Sequence, residues 1–160
     1  MRKRSYAGLV LGAAVAALAV VPMAIGDGNG DLLRSGVAGS TPEGTPEAPG
    51  GPVLFGIHPG GKPWVANRRS SIRVERSGEV NIKVRGLVIP GNVPPNPVTT
   101  LVASLVCNGV VVAMTDPVPF SQRGNATIDQ DITVPKPCVA PVILFRPNAA
   151  PEAPYIGASG

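Results

Sequence analysis

Short runs of alternating apolar and polar residues, each ended by glycine or proline, fill the chain from residue 53 onward. In the clearest run, Val80, Ile82 and Val84 alternate with polar or charged neighbours. A period of two places the apolar side chains on one face, as in a half-buried antiparallel strand. No run with a helical period of 3.6 is found in this region. The pattern therefore predicts short β-strands joined by tight turns.

Two dipeptides predict hairpins within this region. Ser77 and Gly78 separate two alternating runs, and Asn108 and Gly109 separate two apolar runs. Asn-Gly is a strong hairpin signal because both central positions of a type I′ turn need a positive φ. With turn signals roughly every 8–12 residues, we predict an all-β, immunoglobulin-like β-sandwich of about eight short antiparallel strands. A small β-barrel is the alternative.

The N-terminal residues 1–26 have the layout of a secretory signal peptide. A basic start at residues 2–4 precedes an uncharged, mainly apolar stretch at residues 7–25, and the small residues Ala24 and Gly26 fit a cleavage site. We therefore expect a secreted protein. The alternative is a membrane protein anchored by uncleaved residues 7–25, because this stretch approaches the ~20 residues that span a bilayer.

Residues 27–52 are rich in proline, glycine and glutamate, with few large apolar side chains. A Thr-Pro-Glu triplet at residues 41–43 recurs at residues 45–47. Such a segment buries too little apolar area to offset its chain entropy, so we predict a disordered spacer. The remaining all-β domain, residues 53–160, holds ten basic and six acidic side chains. This basic bias is too mild to indicate a nucleic-acid partner.

The two cysteines, Cys107 and Cys138, are predicted to form a disulfide, because an exported chain meets an oxidising environment. The sequence contains no C-x-x-C motif and no basic cluster close to either thiol. We therefore assign the bond a structural role and not a redox one.

Enzymatic and metal-dependent functions are not predicted. His58 is the single histidine, it lies in a glycine- and proline-rich turn, and the chain has no G-x-S-x-G motif. One histidine and two bonded cysteines do not make an ordinary zinc site. Asp129 and Asp131 share one strand face, where solvated carboxylates are more common than a calcium site. We accordingly predict no catalytic, cofactor-binding or metal-binding residues.

A basic face of the first hairpin is the best candidate for a binding patch. Arg73, Lys83 and Arg85 are predicted to share its outer side. Such a patch suits an anionic cell-envelope polymer or a secreted protein, although a charged edge that prevents sheet aggregation is the simpler interpretation. Aromatic stacking groups are missing there, which argues against nucleic acid. A membrane partner is expected only if the N-terminal segment stays uncleaved.

These features predict an exported, non-enzymatic β-sandwich of the cell envelope or medium, which acts as a binding or structural module of unknown ligand. The alternative is a secreted protease inhibitor that presents the proline-rich loop from Pro90 to Pro97 (the 90–97 loop). Prolines pre-order such a loop and reduce the entropy cost of binding.

Five short motifs resemble small secreted proteins of high-GC Gram-positive bacteria that carry no assigned activity. They lie at residues 62–65, 84–90, 106–109, 119–121 and 137–142. The resemblance spans residues 57–160 and implies export and a disulfide-bonded β domain. Its motifs are structural, so it assigns no site residues.

Overall fold

A computed structural model describes residues 30–44 and 50–160, and each regular element among them is a β-strand. The predicted signal peptide, residues 1–26, lies outside the described residues. The ten strands are β1 (Asp31–Ser35), β2 (Val37–Gly39), β3 (Ser71–Glu75), β4 (Glu79–Val84), β5 (Thr100–Cys107), β6 (Val110–Met114), β7 (Val118–Pro119), β8 (Ala126–Asp131), β9 (Val142–Arg146) and β10 (Gly157–Ser159).

The strands form two antiparallel sheets that enclose one main core. The smaller sheet has the order β1-β3-β4-β8, and the larger has the order β2-β10-β9-β5-β6, with β7 also paired to β5. Both sheets keep open edges, so they form a sandwich and not the alternative barrel. The predicted all-β sandwich is thus confirmed. Its core takes alternate residues from both sheets, among them Ile72, Val74, Val80, Ile82, Ile128, Leu101, Leu105, Ile143 and Phe145.

Both predicted hairpins are present. Ser77 and Gly78 lie in the turn between β3 and β4. Asn108 and Gly109 join β5 to β6 with φ values of 55° and 81°. Positive φ at both positions is what a type I′ turn requires, so local turn chemistry was enough to place these four strands.

The prediction of a disordered spacer is wrong for the residues that form β1 and β2. β1 pairs with β3, and β2 pairs with β10, so each adds an edge strand to one of the two sheets. Leu33 and Val37 pack against the core. The neighbouring strands supply backbone hydrogen bonds that the composition of residues 27–52 does not reveal, and these bonds offset the scarcity of apolar side chains.

The larger sheet is covered on its outer face as well. Val106 and Leu144 form a second small core there with Tyr155, and Leu54 packs on it. The Tyr155 hydroxyl donates to the backbone oxygen of Pro52 at 2.6 Å. Burial raises the pKa of this phenol. The segments before β3 and after β9 therefore form a cover over the outer face of this sheet.

The predicted disulfide is present. Cys107, at the end of β5, bonds to Cys138 in the connection between β8 and β9, and their Cα atoms are 4.9 Å apart. The bond ties the connection between the two sheets to β5, an interior strand of the larger sheet. Within residues 30–44 and 50–160, no helix has the length and apolar character needed to cross a bilayer.

Candidate functional site

The structure brings two of the three predicted patch residues to one face. Arg73 of β3 lies opposite Asn81 of β4, so Lys83 is its diagonal neighbour on the outer face of the smaller sheet. Arg85 lies beyond the end of β4. Its guanidinium donates to the backbone oxygens of Val84 and Ala126, at 2.9 and 3.2 Å. Arg85 is therefore held at the end of the sheet and not on its face.

The charge of Arg73 is already paired within the protein. Its Nε lies 2.7 Å from a carboxylate oxygen of Asp31, and its terminal nitrogen lies 2.8 Å from Glu75. Arg34 binds the second oxygen of Asp31 at 2.9 Å. The hydrogen bonds from Arg73 and then Arg34 lower the pKa of Asp31, and Asp31 raises the pKa of Arg73. Asp31 belongs to the predicted spacer, so the sequence alone could not pair it with Arg73.

The outer face of the smaller sheet is mixed in charge. At the end near the β3–β4 turn, Asp31 lies opposite Glu75 and Glu79 lies opposite Asp131. A shallow groove of about 440 Å³ crosses the middle of the face, and it is lined by both basic and acidic side chains. Its charged lining residues are Arg34, Arg73, Lys83 and Asp129. This face is therefore poorly suited to a polyanion.

Four arginines lie on three turns at the opposite end of the smaller sheet. Arg68 and Arg69 precede β3, Arg85 follows β4, and Arg123 precedes β8. Because β3 and β8 both run antiparallel to β4, the three turns lie at the same end. We call this set the arginine tip. Among the described residues, none of its members forms an ion pair, and only Arg85 is partly buried.

Backbone hydrogen bonds hold the three turns of the arginine tip together. Asn67 N donates to Arg85 O at 2.9 Å, and Leu87 N donates to Gly124 O at 3.0 Å. Gly124 has a φ of 70°, and a Cβ at this position would overlap the carbonyl of Leu87. A glycine is therefore needed where the turn that bears Arg123 approaches the end of β4.

No carboxylate competes for the arginine tip along the segments that build it. Residues 53–74, 80–115 and 117–128 contain no aspartate or glutamate. Like charges without counter-charges produce a positive potential that attracts anions. The sequence shows this absence, but it does not show that Arg123 lies beside Arg85, because that proximity depends on the pairing of β8 with β4.

The 90–97 loop borders the arginine tip, and one of its own side chains, Asn96, holds its backbone in place. Asn96 is 1 % exposed, and its side-chain nitrogen donates to the backbone oxygens of Val98 and Ser121 at 2.9 and 2.7 Å. Ser121 opens the turn that bears Arg123. Val93, by contrast, is 93 % exposed. The loop thus presents the Val93 side chain on a backbone that the hydrogen bonds of Asn96 hold in place.

The other candidate residues, His58, Asp129 and Asp131, lie at the protein surface. His58 is exposed, with its Nδ1 2.7 Å from Glu43. Asp129 and Asp131 lie on the mixed outer face. In the part of the chain that the structure describes, no group of three or more His, Cys, Asp or Glu side chains is placed to hold a metal ion.

Comparison with known proteins adds no assignment: no protein-family model, no curated protein and no solved structure matches this chain. The functional proposal therefore depends on the geometry described above.

Proposed function

We propose that this protein is an exported, non-enzymatic β-sandwich of the cell envelope or medium, and that it binds an anionic polymer through the arginine tip. One observation carries the proposal. Four arginines without ion-pair partners among the described residues converge on three hydrogen-bonded turns that contain no carboxylate.

The chemistry of arginine favours such a ligand. The planar guanidinium presents a fork of N–H donors that matches phosphate and carboxylate groups. Backbone hydrogen bonds hold the turns to one another. Binding therefore costs conformational entropy mainly in the arginine side chains. A polymer with repeated anionic groups engages several arginines at once, so that modest single contacts combine into useful affinity.

Three further points support the exported setting. The layout of residues 1–26 is that of a signal peptide, the motifs resemble small secreted proteins, and the Cys107–Cys138 bond suits an oxidising compartment. An immunoglobulin-like architecture is part of the proposal. The run β10-β9-β5-β6 has the order of strands G-F-C-C′ in variable domains, although the β3–β4 hairpin of the smaller sheet differs from that fold.

Charge reversal tests the arginine tip. The variant Arg68→Glu/Arg69→Glu/Arg123→Glu is expected to bind immobilised inorganic polyphosphate and polyglutamate at least about tenfold more weakly than the wild type. Each cation near an anionic surface contributes on the order of 1 kcal/mol. Titration calorimetry or surface plasmon resonance at two salt concentrations measures the affinity, which should fall as salt rises.

A matched control separates the tip from overall charge. The variant Lys62→Glu/Arg76→Glu/Lys136→Glu changes the net charge equally at exposed positions outside the three turns of the arginine tip. It should bind nearly as well as the wild type. Equal loss in both variants would mean that only net charge matters, and no binding of either probe by the wild type would refute the proposal. Preference between the two probes distinguishes phosphate from carboxylate ligands.

Inhibition of a protease by the 90–97 loop is the second candidate function. Its support is the contrast between Val93, which is 93 % exposed, and Asn96, which is buried and holds the loop backbone through its side chain. A rigid loop with one protruding side chain loses little entropy on binding and resists conversion to a cleaved product. Val93 would enter a shallow apolar specificity pocket.

Titration against purified serine, cysteine and metalloproteases tests this candidate. We expect stoichiometric inhibition of a protease that prefers small aliphatic side chains, and Val93→Lys should transfer inhibition to a protease that prefers lysine. Asn96→Ala should turn the loop into a cleaved substrate, because its side-chain hydrogen bonds to Val98 and Ser121 are lost. Cleavage of the wild-type loop without inhibition would refute this function.

A further inference from the structure

β6 is an exposed apolar edge of the larger sheet. Among the described strands, it lies at the end of the strand order, next to β5 alone. Three of its side chains are exposed although they are large and apolar: Val110 (59 %), Val111 (37 %) and Met114 (42 %). Val139, 60 % exposed, lies beside the turn that opens this strand, because its backbone oxygen accepts a hydrogen bond from Asn108 N. An edge strand also presents unpaired backbone groups to any strand that approaches it.

The other three sheet edges carry features that oppose pairing. β1 holds Asp31 and Arg34, and β8 holds Asp129 and Asp131. β2 is only three residues long. Charge and short length are the usual protections of an edge strand. β6 has neither, since its five residues, Val110–Met114, are all uncharged.

We infer that β6 pairs with β6 of a second copy of this chain, so that the larger sheet continues across a two-fold dimer. A two-fold axis brings each strand against itself in antiparallel orientation. Such pairing of β8 would place like charges opposite one another, whereas β6 opposes only valine, alanine and methionine. The same pairing satisfies the open backbone groups and buries the exposed valines. A bulge opposite Leu105 and Val106 bends the strand beyond Val111, so we place the closest contact at Val110 and Val111.

Substitution of Val111 tests the dimer. The full chain is compared by sedimentation velocity and by size exclusion with light scattering, at several protein concentrations. The wild type should show the mass of a dimer that dissociates on dilution, and Val111→Lys should show the mass of a monomer at every concentration. The matched control is Val93→Lys, which makes the same change at an exposed valine of the 90–97 loop and should leave the dimer intact.

Hydrogen exchange of the wild type gives an independent measurement, in case Val111→Lys does not fold. Amides of β6 should become more protected as protein concentration rises, while those of β8 should not. A monomeric wild type, a dimer that survives Val111→Lys in folded protein, or concentration-independent exchange of β6 would each overturn the inference. Dissociation by added salt would overturn it too, because it would indicate contact between the charged outer faces of the smaller sheet.

Discussion

Replacement of both Cys107 and Cys138 by alanine is expected to lower the free energy of unfolding by about 4 kcal/mol. The two residues are 31 positions apart, and the bond removes that loop's conformational freedom from the unfolded chain. The loop contains β6, β7 and β8, so the disulfide restrains strands of both sheets. Urea unfolding followed by tryptophan fluorescence measures the change, since Trp64 is 5 % exposed in the core.

Reduction of the wild type is the control for this prediction. Cys107 is fully buried, so alanine also removes a packed sulfur, whereas reduction opens the bond and leaves both sulfur atoms in place. The reduced wild type should therefore lose most, but not all, of the stability that the double variant loses. A loss below about 1 kcal/mol on reduction would contradict the loop-entropy account.

The variant Arg146→Met is expected to lose about 3 kcal/mol of stability, because three backbone carbonyls lose a charged hydrogen-bond donor. Arg146 ends β9 and is 2 % exposed. Its guanidinium donates to the backbone oxygens of Ala150, Pro151 and Ala153, the last two at 2.9 and 3.0 Å. Burial lowers the pKa of this group. The side chain thus organises the segment that leads into β10.

Two variants make this prediction specific. Arg123→Met removes an exposed arginine and should change the stability by less than about 0.5 kcal/mol. Arg146→Lys keeps the charge but not the planar fork, so it should recover only part of the loss. Hydrogen exchange should show the loss of protection first in the residues between β9 and β10. Equal stability of Arg146→Met and Arg123→Met would contradict this prediction. It would mean that water replaces the guanidinium as hydrogen-bond donor to the three carbonyls at no cost.

Much of the sandwich could be predicted from local chemistry. The alternation around Val80 and Ile82 fixed which side chains face the core, and Asn108 with Gly109 fixed one turn. The disulfide was predictable from the cysteine count and the expectation of export, because two cysteines allow one intramolecular pairing, Cys107 with Cys138.

Features that depend on pairing between distant segments were missed. The composition of β1 resembles that of a spacer, because its side chains bury little apolar area. The strand is stabilised by backbone pairing with β3, which is distant in the sequence. Unless β1 is recognised as a strand, nothing in the sequence indicates that Asp31 neutralises Arg73. The role of Arg123 is hidden for the same reason. β8 is the neighbour of β4 in the sheet, but β5, β6 and β7 lie between them in the sequence. Local patterns identify strands, but the neighbour of each strand decides which charges remain available.

The pairing of β2 with β10 determines when one edge of the larger sheet can form during synthesis. Val37 lies opposite Ser159, and Gly36 N donates to Gly160 O at 3.2 Å, so segments from the two ends of the described chain complete one edge of the larger sheet. β2 is synthesised early and β10 is synthesised late. Such a fold has a high contact order and closes slowly. β2 therefore has no partner strand in the larger sheet until β10 emerges, so this edge of the sheet forms only after β10 has been synthesised.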